Sequence, residues 1–215
     1  MPNPPTQVAV SNGMRALLAR RTEELEGGAT AVGWKIGLST KGLQDHFGLR
    51  GPVVGYLTDA TVIAAGSDIG IGGWLRPALE VEVAIRVGDD GRVAALAPAL
   101  ELVDLDRPFD RIEPILAQNI FHRAVVFGPE ITGAAVDDLA VAVSMDGTQV
   151  ADGQLVDAPG DTIEVVRTFL EAHGEELLPG HRIIAGSLIT PLTVEPGDRL
   201  EISFGVLGSL AASFC

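Results

Sequence analysis

The chain has 215 residues, a length that suits one domain, or one domain with a small appendage. Its 29 acidic and 15 basic residues leave a net charge of −14, and no Lys/Arg-rich block reverses that locally, which argues against a nucleic-acid or anionic-membrane partner. Apolar residues make up 47%, enough for a real core, and the single cysteine, Cys215, excludes an internal disulfide framework and a cysteine-based zinc site.

The opening Met1-Pro2-Asn3-Pro4-Pro5 lacks the basic and apolar regions of a signal peptide, and the uncharged run from Ile202 to Cys215 is too short to span a bilayer. The expectation is a cytoplasmic protein. Residues 1–12 read as a polar, Pro-rich lead-in. Met14 to Leu25 reads as a helix, with Met14, Leu17, Leu18 and Leu25 on the apolar face, Arg15, Arg20, Arg21, Glu23 and Glu24 on the wet face, and Gly27-Gly28 as its stop. Val32 to Leu38 reads as a strand and Thr40 to Phe47 as a short helix ended by Gly48. Val53 to Tyr56 and Thr61 to Ala64 are short strands.

Leu79 to Val87 is the clearest strand: Leu79, Val81, Val83, Ile85 and Val87 alternate with Glu80, Glu82, Ala84 and Arg86. Asp89-Asp90-Gly91 is its turn, and Val93 to Val103 follows, largely apolar with one charge, Glu101. Asp110 to Gln118 reads as helical. Strands are expected at Val125–Phe127, Ala140–Met145 and Thr148–Ala151, the last two joined by the hairpin signal Asp146-Gly147. Asp161 to His173 reads as a helix with Asp161 as N-cap and Gly174 as stop. Arg182–Ala185, Leu192–Val194, Arg199–Phe204 and Leu210–Phe214 complete a β-rich C-terminal half. Strands and helices do not alternate, so a doubly wound parallel sheet is not expected. The pattern predicts a β-rich α+β fold: a mixed, mostly antiparallel β-sandwich or roll with peripheral helices.

Glu80 and Glu82, at i and i+2 on one strand, share a face about 7 Å apart along it. A third carboxylate from a neighbouring strand would complete one face of an octahedral Mg²⁺ or Mn²⁺ site. Glu101, a lone charge in an apolar run, needs a partner once buried and suits that role. The Glu80/Glu82 pattern equally suits an antiparallel strand with one wet face and no metal. Lys35, between Gly33 and Gly37, would face a pocket as acid or anion binder, or be a solvated lysine on a sheet. Asp59 is either a general base or a turn cap. His46 follows Asp45 and offers an acid–His pair, or a plain surface pair; His122, His173 and His181 show no ligand spacing. No Gly-rich segment forms a nucleotide-binding pattern.

The segments GWKIGLS, GYLTDATV, RPALEVEVAI, ALELVD and the ending IIAGSLITPLTVEPGDRLEISFGVLGSLAASF occur in that order. From about Trp34 to Phe214 the chain resembles the fumarylacetoacetate hydrolase superfamily, closest to its 2-keto-4-pentenoate hydratase / 4-oxalocrotonate decarboxylase branch. The resemblance implies a helical lead-in over residues 1–33 and a catalytic domain of that fold over 34–215. It implies Glu80, Glu82 and Glu101 as ligands of Mg²⁺ or Mn²⁺, with Lys35 and Asp59 as proton-moving catalytic residues. His46, Asn119 and Gly186 are weaker substrate-binding candidates. The implied reaction is a hydratase's, adding water to a 2-hydroxy-2,4-dienoate to give a 4-hydroxy-2-oxo acid in the breakdown of aromatic compounds. Alternatives are a decarboxylase of the 4-oxalocrotonate type, a C–C hydrolase using Asp45-His46, and a non-catalytic homologue serving as a binding or partner subunit. The partner implied is a small anionic 2-oxo or 2-hydroxydienoic acid, bound by a homo-oligomer. The sequence departs from the family at Val156, near which a serine is expected, at Gln118-Asn119 in place of Asp-Asn, and at Ala185-Gly186 in place of Thr-Gly.

Overall fold

A computed structural model describes residues 4–134, 136 and 139–215; residues 1–3 of the expected lead-in lie outside the described residues. The first helix, α1 (Pro4–Glu26), begins well before the expected start at Met14. Proline is tolerated in a first helical turn because the N–H it lacks would have no partner there. Met14 and Leu17 are buried as expected. Glu24, expected on the wet face, is turned inward and accepts hydrogen bonds from the Tyr56 hydroxyl (2.6 Å) and Thr58 Oγ1 (3.1 Å).

Two sheets follow. The larger takes the order β2 (Val53–Thr58), β1 (Ala31–Gly37), β10 (Arg182–Ile184), β5 (Pro77–Val87), β6 (Val93–Asp104), β7 (His122–Phe127) and β3 (Val62–Ile63), with β11 (Leu192–Thr193) also on β5. The smaller takes the order β4 (Asp68–Ile69), β13 (Ser209–Phe214), β12 (Arg199–Ser203), β8 (Ala140–Met145) and β9 (Thr148–Gln154). Most pairings are antiparallel; β1 with β10, β13 with β4 and β3 with β7 are parallel. One apolar core gathers side chains from both sheets and from α1. This is the β-rich mixed fold with peripheral helices that the pattern predicts. Among the described residues, no helix is long and apolar enough to cross a membrane.

Local chemistry explains several boundaries. Helix α2 (Lys41–Phe47) is capped by Thr40 Oγ1, which accepts from the Leu43 N–H, and ends at Gly48 in a left-handed conformation. Asp146 (φ 49°) and Gly147 (φ 76°) both take positive φ, the requirement of a tight two-residue hairpin. Helix α3 (Ile112–Ala117) is shorter than expected. Helix α4 (Pro159–Glu171) starts two residues before the expected Asp161 cap, because Pro159 is preset for a first turn; Ala158 is the N-cap and Asp161 lies within that turn. The two-residue β4 has no periodicity for a sequence reading to find, and the boundary expected at residue 34 falls inside β1.

The wet face expected on β5 is absent. Its strand is covered on both sides, and Glu82 is as inaccessible as Val81 and Val83. One glycine holds β1 in register beside β10. Gly33 pairs with Arg182 at φ 151°, and a Cβ there would lie 1.9 Å from the Arg182 carbonyl oxygen. Gly33→Ala is expected to destabilise the protein by at least ~2 kcal/mol in urea unfolding, whereas Gly42→Ala, in open helical space, stabilises it by about 0.5–1 kcal/mol.

Candidate functional site

Strand register assembles the charged cluster. On the antiparallel β5–β6 pair, Glu80 stands directly opposite Glu101, and Glu82 lies two residues along on the same face. Lys35 on β1 aligns with Ile184 on β10, which aligns with Ala84 on β5. The lysine therefore emerges on the glutamates' face, and its long stem carries Nζ to Glu101. Lys35 is 1% exposed and Glu82 and Glu101 are fully buried; Glu80 retains contact with solvent through the adjoining cavity.

Each buried carboxylate is held by one oxygen. Glu101 Oε1 accepts from Lys35 Nζ and from the His122 Nδ1–H (2.8 Å). Glu82 Oε2 accepts from the Gly186 backbone N–H (2.8 Å). The other oxygens, Glu101 Oε2 and Glu82 Oε1, are buried with no hydrogen-bond partner. Buried charged oxygens left unpaired are strongly unfavourable. One carboxylate oxygen from each of Glu80, Glu82 and Glu101 lies within 4.8 Å of the other two. An all-oxygen, anionic donor set with two free buried oxygens fits a hard divalent cation.

Electrostatics agree. Burial pushes the Glu80 carboxyl up to about 7, with the Glu101 charge adding to the shift and Lys35 opposing it. Glu82 is driven well above the carboxylate range by burial and by its two acidic neighbours. Glu101 moves the other way: burial acts upward, but Lys35 and His122 hold it below its ordinary value. Lys35 thus keeps one of the three ionised, and a divalent cation supplies the charge that the other two require.

The backbone around Lys35 is unusual. Asn119, Ile120 and Phe121 take φ of 54°, 54° and 65°, a rare run of left-handed residues without glycine. This turn aims the Ile120 carbonyl at Lys35 Nζ (3.2 Å). Gly37 and Gly55 make room for it: a Cβ on Gly37 would lie 2.8 Å from Ile120 Cγ2, and one on Gly55 would lie 2.4 Å from Asn119 Oδ1. A cavity of about 580 Å³ opens above Lys35 and Glu80, walled by Leu43, Leu105, Phe109 and Phe121, with Ser39 and Ser187 supplying hydroxyls.

The structure brings Lys35, Glu80, Glu82 and Glu101 together and leaves other candidates apart. Asp59 is exposed at the far end of β2 from Lys35, where Oδ1 accepts from the Thr30 N–H (2.8 Å), and that bond holds its carboxyl below the usual range. That bond ties the end of β2 to the residue before β1. His46 is exposed, and its Nε2 meets the Phe109 carbonyl (2.7 Å) outside the cavity, because α2 turns that face outward. Asn119 clamps its own turn to β2: Oδ1 accepts from the Tyr56 N–H (3.0 Å) and Nδ2 donates to the Tyr56 carbonyl (2.9 Å). Gly186 faces Glu82 through its backbone N–H. Val156 is 89% exposed on the loop after β9. His122 and the Ile120 carbonyl escape a sequence reading altogether. His122 Nε2 also meets Thr61 Oγ1 (3.0 Å), so both ring nitrogens are engaged.

The chain is similar in sequence and fold to known proteins. A sequence model described as Fumarylacetoacetate (FAA) hydrolase C-terminal matches residues 40–214. A 4-oxalocrotonate decarboxylase of a Pseudomonas species is 27% identical over 93% of this chain and 83% of its own. A 2-hydroxyhexa-2,4-dienoate hydratase of Comamonas testosteroni is 27% identical over 87% of this chain and 79% of its own. Among solved structures, the 4-oxalocrotonate decarboxylase from Pseudomonas putida G7, complexed with magnesium and adipate, matches with a TM-score of 0.83 at 20% identity, covering 93% of this chain and 83% of that one.

The raised carboxyls carry a pH dependence. Glu80 and Glu82 hold protons more tightly folded than unfolded, so in the metal-free protein their stabilising contribution is complete below the ordinary value of 4.5; the Glu80 share is lost as pH rises through about 7, and the Glu82 share is lost as pH rises through its own raised value. A divalent cation competes with those same protons. Millimolar Mg²⁺ or Mn²⁺ is therefore expected to raise the melting temperature more at pH 8 than at pH 5.5, measured by calorimetry; an equal shift at both would contradict the assignment.

Proposed function

Because the chain belongs to the fumarylacetoacetate hydrolase family, we propose that it is a divalent-metal-dependent hydratase that adds water to a 2-hydroxy-2,4-dienoate, giving a 4-hydroxy-2-oxo acid. Its relatives include enzymes named as hydratases and as decarboxylases. The observation that carries the reading is the pair of unpartnered buried oxygens on Glu82 and Glu101, in a three-glutamate cluster whose Glu80 lines a mostly apolar cavity. These three glutamates would hold Mg²⁺ or Mn²⁺. Bound there, the cation supplies Lewis acidity to the substrate's oxygens.

The chain's own residues do the rest. Lys35 Nζ stands at the cavity floor, fixed by Glu101 and the Ile120 carbonyl, where it can hold and pass a proton during conversion of the dienol to the 2-oxo-3-enoate. Water then adds at C4 and a proton at C3, so the overall change is the gain of one water. His122 keeps Glu101 oriented, and the Gly186 N–H does the same for Glu82, leaving one oxygen of each for the cation. The apolar walls shield the reacting diene from bulk water. This sheet-bearing part carries every residue assigned a role; the N-terminal helix carries none.

The likeness to 4-oxalocrotonate decarboxylases supports a second reading, loss of CO₂ from a 2-oxo acid in the same cavity. A C–C hydrolase is less well supported, because Asp45-His46 lies outside the cavity. A non-catalytic subunit gives no reason for the unpaired oxygens.

The test is the ultraviolet absorbance of 2-hydroxypenta-2,4-dienoate. We expect Mg²⁺- or Mn²⁺-dependent loss of the diene band, reduced at least ~100-fold in Glu82→Gln. No loss with this substrate, but CO₂ released from 4-oxalocrotonate, would replace the hydratase with the decarboxylase.

A further inference from the structure

The apolar wall of the cavity has a chemistry of its own. Its wall is formed by Leu43 from α2, Leu105 and Phe109 from the loop after β6, and Phe121, whose ring stacks at a tilt on Phe109 with centroids 4.9 Å apart. Among the described residues lining the cavity, Lys35 is the only cation, and it is already engaged by Glu101 and the Ile120 carbonyl. The loop that supplies Leu105 and Phe109 does carry Arg107, but its guanidinium is held by Asp106 through two hydrogen bonds of 2.8 Å. Besides Lys35 and Glu80, the one charged side chain among the described lining residues is Asp152, an anion.

We propose that this cavity selects monocarboxylates: 2-hydroxydienoates, and the 2-oxo acids they become, whose end distant from the 2-oxygen is an uncharged apolar chain. Dicarboxylates of the same length are rejected. The inference rests on the reading of the glutamate cluster as the point where the 2-oxo acid head binds, and it adds which tails follow that head.

The physical reason is desolvation without compensation. A second carboxylate carried past Leu43, Phe109 and Phe121 would leave water and find no free cation, only neutral hydroxyls such as those of Ser39 and Ser187, with Asp152 repelling it. An alkyl tail leaves water favourably and meets apolar walls. Rejection here works by withholding a partner from the wrong ligand. Adipate, a dicarboxylate, is present in the structure of the similar decarboxylase from Pseudomonas putida G7.

Two stable probes of equal chain length test this: 2-oxohexanoate, with a methyl end, and 2-oxoadipate, with a carboxylate end. Each is titrated calorimetrically into the protein with saturating Mg²⁺. The expected result is 2-oxohexanoate binding at least ~10-fold tighter. Leu43→Arg, which places a cation on the tail wall, should cut that ratio at least ~5-fold, mainly by improving 2-oxoadipate. Equal binding, or tighter binding of 2-oxoadipate to the unaltered protein, overturns the tail assignment while leaving the head site standing. Binding of neither acid overturns the head site and the tail assignment with it. The unaltered protein gives the deciding ratio even should the variant fail to fold.

Discussion

Glu80 and Glu101 face each other across two paired strands, with Glu82 beside them and Lys35 reaching in from a third strand. Like charges opposite one another in a sheet repel, and burial multiplies the effect. A fold that keeps this arrangement needs something to balance it. Lys35 provides one positive charge, enough to hold Glu101 ionised. It leaves Glu80 and Glu82 with raised affinity for protons and two buried oxygens without partners. The cluster is under-neutralised by the chain alone, and a divalent cation is the simplest completion.

Much of the surrounding architecture can be read as support for that cluster. Gly33 lets β1 lie close against β10, which fixes the level at which Lys35 leaves the sheet. Gly37 and Gly55 clear the space taken by the turn at 119–121, and Asn119 clamps that turn to β2. The result is a carbonyl aimed at Lys35 and two aromatic rings placed beside the same cavity. Three successive left-handed residues are a strained device, and they sit where preorganisation of a charged group matters most. His122 and the Gly186 N–H complete the arrangement by occupying one oxygen each, which leaves the other oxygen of Glu101 and of Glu82 without a partner.

The legible parts of the sequence were those with a local signature. Alternation marked β5, the lone charge in an apolar run marked Glu101, the Asp-Gly pair marked the β8–β9 hairpin, and the ordered motifs carried the family resemblance. Alternation failed on exposure, since it assumes one wet face and β5 has none. Asp59 and His46 sit in suggestive neighbourhoods along the chain, but the direction in which a turn or short helix points is set by packing. His122 and the Ile120 carbonyl reach the cluster only through the irregular pairing of β6 with β7 and a left-handed turn, and no spacing rule encodes either. The start of α1 was hidden because a Pro-rich, polar segment reads as irregular, although prolines in a first turn are compatible with a helix.

The cluster's need for a cation is the claim on which the account turns, and one diffraction measurement addresses it directly. Crystals grown with Mn²⁺ and measured at a wavelength sensitive to manganese should show one strong anomalous peak with an oxygen from each of Glu80, Glu82 and Glu101 at about 2.0–2.3 Å. Lys35 should remain on Glu101 Oε1. A peak elsewhere, or three glutamates left without a cation at saturating Mn²⁺, would contradict the account.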